Sequence, residues 1–274
     1  MHPAPLRGSS VAYSRYSPSS RLAGRAPRRP LWLTVIVKRG TRFQRVFVWI
    51  GGALFVGSLA LWVWWYAFAL GQPRPWSGWL PFAFDTMLFT AFASHHSVFA
   101  RDAVKRRISA IPQRLLRSVY VWIASLLLIA VCVLWQWIGG EVYRVTGAGS
   151  VALMLVQIAG VWFIYGAVAR LDPLELAGIR TEDEAGRRRT ASGPSALQIT
   201  GPYRLVRHPL YLGWILIVFG VSHMTGDRLA FAVVSSLYLI VAVPWEERSL
   251  RQSFGEDYDR YMRQVRWRVL PYLY

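Results

Sequence analysis

Three groups of residues in this chain of 274 have the types and spacing to do chemistry. The first is Gly201-Pro-Tyr-Arg-Leu-Val-Arg-His-Pro-Leu-Tyr-Leu-Gly213, a basic, aromatic loop running through Arg207, His208 and Pro209 into an apolar stretch. Proline is favoured in the first turn of a helix, where its missing N–H has no intrahelical partner to lose. The sequence therefore predicts a helix from Pro209 with His208 at its cap. The open N–H groups of that turn, beside Arg204 and Arg207, would form an anion site. The second group is the adjacent pair Glu246-Glu247, directly after Pro244-Trp245 at the end of an apolar run. Carboxylates at such a boundary are solvated, paired with arginines, or functional. Their expected partners are the arginines of the 201–208 loop or a cationic ligand. The third group is His95-His96, near the end of another apolar run. Paired imidazoles suit proton transfer, the polar lining of a substrate cavity, a metal or a haem. Adjacent helical residues point about 100° apart, so the two are not expected to chelate one ion, and no metal site is assigned.

The elements that must position these groups are apolar runs. Hydrophobic residues make up 54% of the sequence, and runs at residues 46–70, 79–99, 119–138, 151–169, 209–224 and 229–245 approach or reach the ~20 residues that span a bilayer. The expected fold class is therefore all-α, a polytopic integral membrane protein with about six (five to six) transmembrane helices. The 209–245 region permits only short crossings, whose ends would sit partly below the membrane surface. Beyond Trp245, Leu250, Phe254, Tyr258, Tyr261 and Val265 fall at helical spacing. They predict a C-terminal amphipathic cytosolic helix, broken or kinked at Gly255, that lies on the membrane or caps a cofactor site.

Charge sets the orientation. The net charge of +18 comes from arginines and lysines that alternate between segments, counted 10, 1, 6, 1, 7, 1 and 6 along the chain. Positive residues accumulate on the cytoplasmic side, so both termini are expected there, in a bacterial inner membrane, and nucleic acid is not a partner. Residues 1–44 read as a basic disordered cytosolic tail rich in Ser, Pro and Gly, a composition shared by organellar transit peptides. Residues 45–170 hold the N-terminal transmembrane helices, and the segment 170–207 reads as polar and irregular. Cys132 stands alone within an apolar run, which excludes a disulfide framework and a thiolate metal site. The chain has no Gly-rich phosphate loop after a strand, no His-Glu-x-x-His and no βαβ pattern. Any cofactor must therefore bind between helices and loops.

The 201–213 stretch, a short helical hairpin, Glu246-Glu247 and the helix from Phe254-Gly255 to Tyr261 together resemble the membrane methyltransferases. That superfamily includes isoprenylcysteine carboxyl methyltransferases and phospholipid N-methyltransferases. Farther upstream, His95-His96-Ser97-Val98-Phe99-Ala100-Arg101, Trp135-Gln-Trp137 and Glu175-Leu-Ala-Gly-Ile-Arg180 are similar to methanethiol S-methyltransferases and their relatives. The resemblance implies that residues 171–274 form a catalytic region with two membrane crossings, binding S-adenosylmethionine on the cytosolic side. Arg207 and the Pro209 helix start would meet the cofactor's carboxylate, and Glu246 or Glu247 its ammonium or ribose hydroxyls. Tyr203 and Tyr211 would flank its adenine or sulfonium, with His208 beside them and Gly213 permitting close approach of a helix or ligand. His95, His96 and Arg101 would line the acceptor site, with His96 and Arg207 as the catalytic candidates. The partners so implied are the lipid bilayer and a small-molecule or lipid methyl acceptor. A small thiol leads, a prenylcysteine carboxylate or phospholipid amine is the alternative, and a non-catalytic or haem-linked membrane protein is the competing class.

Overall fold

The computed structural model describes residues 42–99, 113–170, 174, 177–179 and 197–274. The expected basic tail, all but its last three residues, lies outside the described residues, as do Arg101 and half of the Glu175 to Arg180 element. In chain order the elements are α1 (Arg42–Trp64) with a π-turn at Trp65–Ala69, α2 (Trp79–Phe99), α3 (Gln113–Leu134), strand β1 (Glu141–Arg144) and α4 (Ala148–Val168). A 3₁₀ turn (Gly201–Arg204) follows, then α5 (Pro209–Phe219), strand β2 (His223–Thr225), α6 (Gly226–Phe254) and α7 (Glu256–Gln264).

Four of these elements are long and apolar enough to cross a membrane: α1 with its π-turn, α3, α4 and α6. Helix α4 is apolar on every side, yet among its residues only Gly160 and Ala167 are buried. Such a helix needs lipid as its solvent, and the chain is an integral membrane protein. Helix α2 has the length but carries Asp85, His95 and His96. Helix α5, at 11 residues, extends only about 16 Å at 1.5 Å per residue. The span expected over 209–224 is thus not one helix. It ends at Phe219, where Gly220 follows, and the chain continues as β2.

Strand β2 pairs antiparallel with β1, matching Glu141 to Thr225, Tyr143 to Met224 and Arg144 to His223 across a bulge. This ribbon departs from the all-α expectation. Four residues and three are too short to show a period of two in sequence, but pairing satisfies the backbone groups that α5 releases. The ribbon also starts α6. Thr225 caps its first turn by accepting from the Arg228 amide, and Asp227 accepts hydrogen bonds from Trp135 Nε1, Ile138 N and Gly139 N, each at 2.9 Å.

The main core lies toward this end of the array. Phe231 of α6 is its hub, with the rings of Trp62, Trp65, Tyr66, Phe89, Trp135 and Trp214 all within 6.3 Å of it, centroid to centroid. The three solitary cations of the charge pattern gather here too. Arg74 donates to the Ala69 carbonyl, Arg228 to those of Ala67 and His223, and Arg144 meets the His223 ring. Helices α4 and α5 cross where Gly160 faces Gly213. A Cβ on Gly213 would stand 2.6 Å from the Gly160 carbonyl oxygen and 3.0 Å from the Ile164 amide nitrogen. The close approach at Gly213 is therefore that of a neighbouring helix.

Candidate active site

The other end of α5 and α6 is built from three pieces of chain. Pro209 opens α5, and His208 precedes it at φ −120°, ψ 67°. Helix α6 runs past Pro244, which removes one i to i−4 hydrogen bond, and carries Glu246 and Glu247 out beside the 201–208 loop. The C-terminal segment then returns along that loop. The Arg207 and His208 amides donate to the Trp267 and Arg268 carbonyls at 2.9 and 2.8 Å. The alternation of Val265, Trp267 and Val269 with Arg266 and Arg268 is the period of this extended strip.

Arg207 and Glu247 meet at 2.7 Å, with their side chains only 7% and 9% exposed. Arg207 also donates through Nη1 to the carbonyls of Val265 and Arg266. The second oxygen of Glu247 lies 3.3 Å from Arg268 Nε. This buried knot ties the loop, α6 and the C-terminal strip together. It also uses much of the guanidinium that the sequence offered to an anionic ligand. The helix start offers less than its sequence suggests. The Tyr211 and Leu212 amides already donate to the His208 carbonyl, and Pro209 has no N–H.

Glu246 is the open carboxylate of the pair. It accepts from the Tyr211 hydroxyl at 2.7 Å, and 43% of its side chain is accessible. His208 is buried between the two acids, Nδ1 3.4 Å from Glu246 and Nε2 3.5 Å from Glu247. These separations suit ion pairs and are long for hydrogen bonds, and Nε2 has no hydrogen-bond partner. Burial pulls the His208 imidazole down, and the two carboxylates more than offset it, holding its pKa above the ordinary value. Its ring stacks on Tyr211 at 5.3 Å.

Helix α7 closes one side. Its first turn holds Glu256, Asp257 and Asp259, acids that suit the positive end of the helix dipole, and its apolar face buries Tyr258 and Tyr261. The Tyr261 hydroxyl donates to the Tyr203 carbonyl at 2.7 Å, docking the helix on the loop. Burial raises the phenols of Tyr203, Tyr258 and Tyr261, so they stay protonated. The face drawn over residues 250–265 is divided, with Gly255 at φ 54° ending α6 before α7 begins.

The histidine pair sits at the end of α2. His96 Nδ1 lies 2.7 Å from the Tyr120 hydroxyl of α3. The His95 ring stacks between Phe99 and Tyr120 at 4.8 and 5.4 Å, and among the described residues neither of its nitrogens has a hydrogen-bond partner. Ser97 shares a 2.5 Å hydrogen bond with Tyr238 of α6. Glu246 lies within electrostatic reach of His96, so the ends of α2 and α6 face one another. Of the residues singled out in the sequence, Tyr203, Arg207, His208, Pro209, Tyr211, Glu246 and Glu247 come together here, with His95 and His96 beside them. Gly213 faces α4, and Arg101 lies outside the described residues. Sequence reasoning missed Arg268, Tyr120 and Tyr238. The alternation at 265–269 was the available signal for the first, and the two tyrosines sit in apolar runs with none.

Residues 151–257 match the family model described as phospholipid methyltransferase. The chain is similar to a methanethiol S-methyltransferase of Pseudomonas sp. (strain GM41(2012)), 35% identical over 66% of this chain and 70% of that protein. It is equally similar, at 35% and the same coverage, to methanethiol S-methyltransferase 2 of Bradyrhizobium diazoefficiens. A probable protein-S-isoprenylcysteine O-methyltransferase of Oryza sativa subsp. indica is 38% identical over 24% of this chain and 36% of that protein. No solved structure matches.

Proposed function

Because this chain belongs to the membrane methyltransferase family that holds the methanethiol S-methyltransferases, we propose that it methylates a small, methanethiol-like thiol using S-adenosylmethionine. The observation that carries this reading is the meeting of Glu246, His208 and Tyr211 at one end of α6, with His96 of α2 within electrostatic reach of Glu246. The donor set fits the cofactor. A cationic ligand is matched by the accessible Glu246 carboxylate, and a sulfonium or adenine by the rings of Tyr203 and Tyr211. When bound, S-adenosylmethionine supplies a methyl group activated by its sulfonium.

Every other task falls to the chain. Glu246, His208 and Tyr211 are assigned to contact with the cofactor. Arg207 and Glu247 hold the 201–208 loop on α6, and Pro209 sets the direction in which α5 leaves it. His96 is assigned to the acceptor. In the tautomer whose Nδ1–H donates to the Tyr120 oxygen, Nε2 is left to take the thiol proton, and His95 lines the same space. Phe92 and Phe99, in ring contact with His96 and His95, keep water from the nucleophile, and orientation with desolvation does the remaining work.

In this reading α2 and the segment from α5 through β2 join the four apolar helices to make six crossings. After the turn at Gly220 (φ −77°, ψ 14°) the chain through β2 carries this crossing onward from the roughly 16 Å of α5 toward a ~30 Å core. The alternating arginine counts support a cytoplasmic site, a cytosolic α7 and both termini cytoplasmic, in a bacterial inner membrane. The test is calorimetric binding of S-adenosylmethionine to the purified full chain and to Glu246→Gln. A charge-assisted contact predicts roughly tenfold or greater weakening in the variant. Equal affinity in both would remove Glu246 from the cofactor site.

A further inference from the structure

At the end of α5 and α6 opposite His208 and Glu246 lies a cavity of about 430 Å³, a size suited to a small ligand or part of a larger one. Its walls include Trp62 of α1, Tyr66 of the π-turn that follows it, Val161 of α4, Ile217 of α5, Ser222 and Arg228. Val63 and Val161, at its rim, are 56% and 58% exposed on the outer faces of α1 and α4. In a bilayer those faces meet lipid, so the cavity opens sideways into the membrane.

The polar groups on its walls are mostly donors. Arg228 is 8% exposed. Its Nε and Nη2 donate to the Tyr66 and Ala67 carbonyls, and its Nη1 donates to the His223 carbonyl at 2.6 Å, with a second Nη1 N–H left over. Those carbonyls supply dipoles but no net negative charge. Among the described residues no carboxylate stands within ion-pair distance of Arg228. Its neighbour Asp227 is taken by Trp135, Ile138 and Gly139. The indole N–H of Trp62 is buried without an acceptor among the described residues. Gln157 spends its amide N–H on the Ile217 carbonyl.

A buried arginine in a membrane protein pairs with a carboxylate or with backbone carbonyls, and Arg228, held by carbonyls alone with one N–H left over, stands on the wall of a cavity that can bring it an anion. We propose that the cavity binds one anionic phospholipid, its phosphate against Arg228 and its upper acyl chain between Val63 and Val161. Phosphate accepts from guanidinium and hydroxyl groups and donates none when ionised. The apolar walls and lateral mouth fit a lipid better than a free ion. The site is separate from the methyl-transfer site and stands whether or not that assignment holds.

The test is native mass spectrometry of the full chain released from nanodiscs of equimolar phosphatidylglycerol and phosphatidylcholine. The wild-type chain is expected to retain one phosphatidylglycerol in preference to phosphatidylcholine. Val161→Trp, which fills the mouth and leaves Arg228 in place, is expected to abolish that preference. Arg228→Gln is expected to reduce it about tenfold. Circular dichroism reports whether each variant folds. If Arg228→Gln does not, Val161→Trp and Ile217→Trp from the facing wall decide. Equal retention of the two lipids, preference unchanged when the cavity is filled, or displacement of the lipid by inorganic phosphate alone would each overturn the proposal.

Discussion

Arg207 and Glu247 form a deeply buried ion pair at the candidate site, and removing one partner strands the other. Breaking such a pair costs about 3–5 kcal/mol, whereas replacing both partners by apolar residues of similar volume costs far less. Arg207→Ala should therefore lower the unfolding midpoint in detergent strongly, and the double variant Arg207→Met, Glu247→Leu should recover much of the loss. Equal losses in single and double variants would show that the pair does not hold the loop. His208 gives a pH signature. Its folded pKa is raised by Glu246 and Glu247, so its contribution to stability is fully present below the unfolded value of about 6.5. That contribution fades as pH climbs through the folded value. The stability gap between wild type and His208→Gln should be widest in mild acid and close toward alkaline pH, and a gap that widens with pH would reverse the sign. At this scale the sequence revealed the residues better than their partners. Proximity of the two acids to the 201–208 arginines was legible, because both lie where apolar runs meet basic loops. That Arg207 is spent on Glu247 and two carbonyls depends on the returning strip at 265–268, which no spacing near Arg207 encodes.

The elements are held by backbone approach and buried polar anchors as much as by apolar contact. Gly213 meets backbone atoms of Gly160 and Ile164, which cannot swing aside. Gly213→Ala should cost about 1–3 kcal/mol through overpacking, read as a lower thermal midpoint, and an unchanged midpoint would mean that the two helices can separate freely. Asp227, fully buried, accepts three N–H groups from the turn after α3. Asp227→Ala leaves those donors unsatisfied and should cost about 1–3 kcal/mol for each one that water does not reach, with faster amide exchange at Ile138 and Gly139. The length of the apolar runs located the helices, α2 over residues 79–99 among them, because a lipid-facing helix announces itself by composition. It could not find the ribbon of β1 and β2, whose strands are held by α5 stopping early. The break at Gly255 between α6 and α7 was legible from the glycine rather than from the apolar spacing, which runs through it.

Across the whole molecule the two ends of α6 have opposite characters. One end holds the solitary cations Arg74, Arg144 and Arg228 with the aromatic core around Phe231. The other holds His208, the paired acids and the histidines of α2. Charge alternation in the sequence already separates the two groups, because a bilayer sorts basic residues by side. The acceptor is not written there, since small thiols, prenylcysteines and phospholipids all reach a site at the membrane surface. The most direct measurement is methyl transfer by the purified full chain from methyl-labelled S-adenosylmethionine, with methanethiol, a prenylcysteine and a phosphatidylethanolamine offered in parallel. Label is expected in volatile dimethyl sulfide, lost in Glu246→Gln and reduced in His96→Ala. Label in the prenylcysteine or the lipid alone, or in no acceptor while the folded chain binds the cofactor, would contradict methylation of a small thiol.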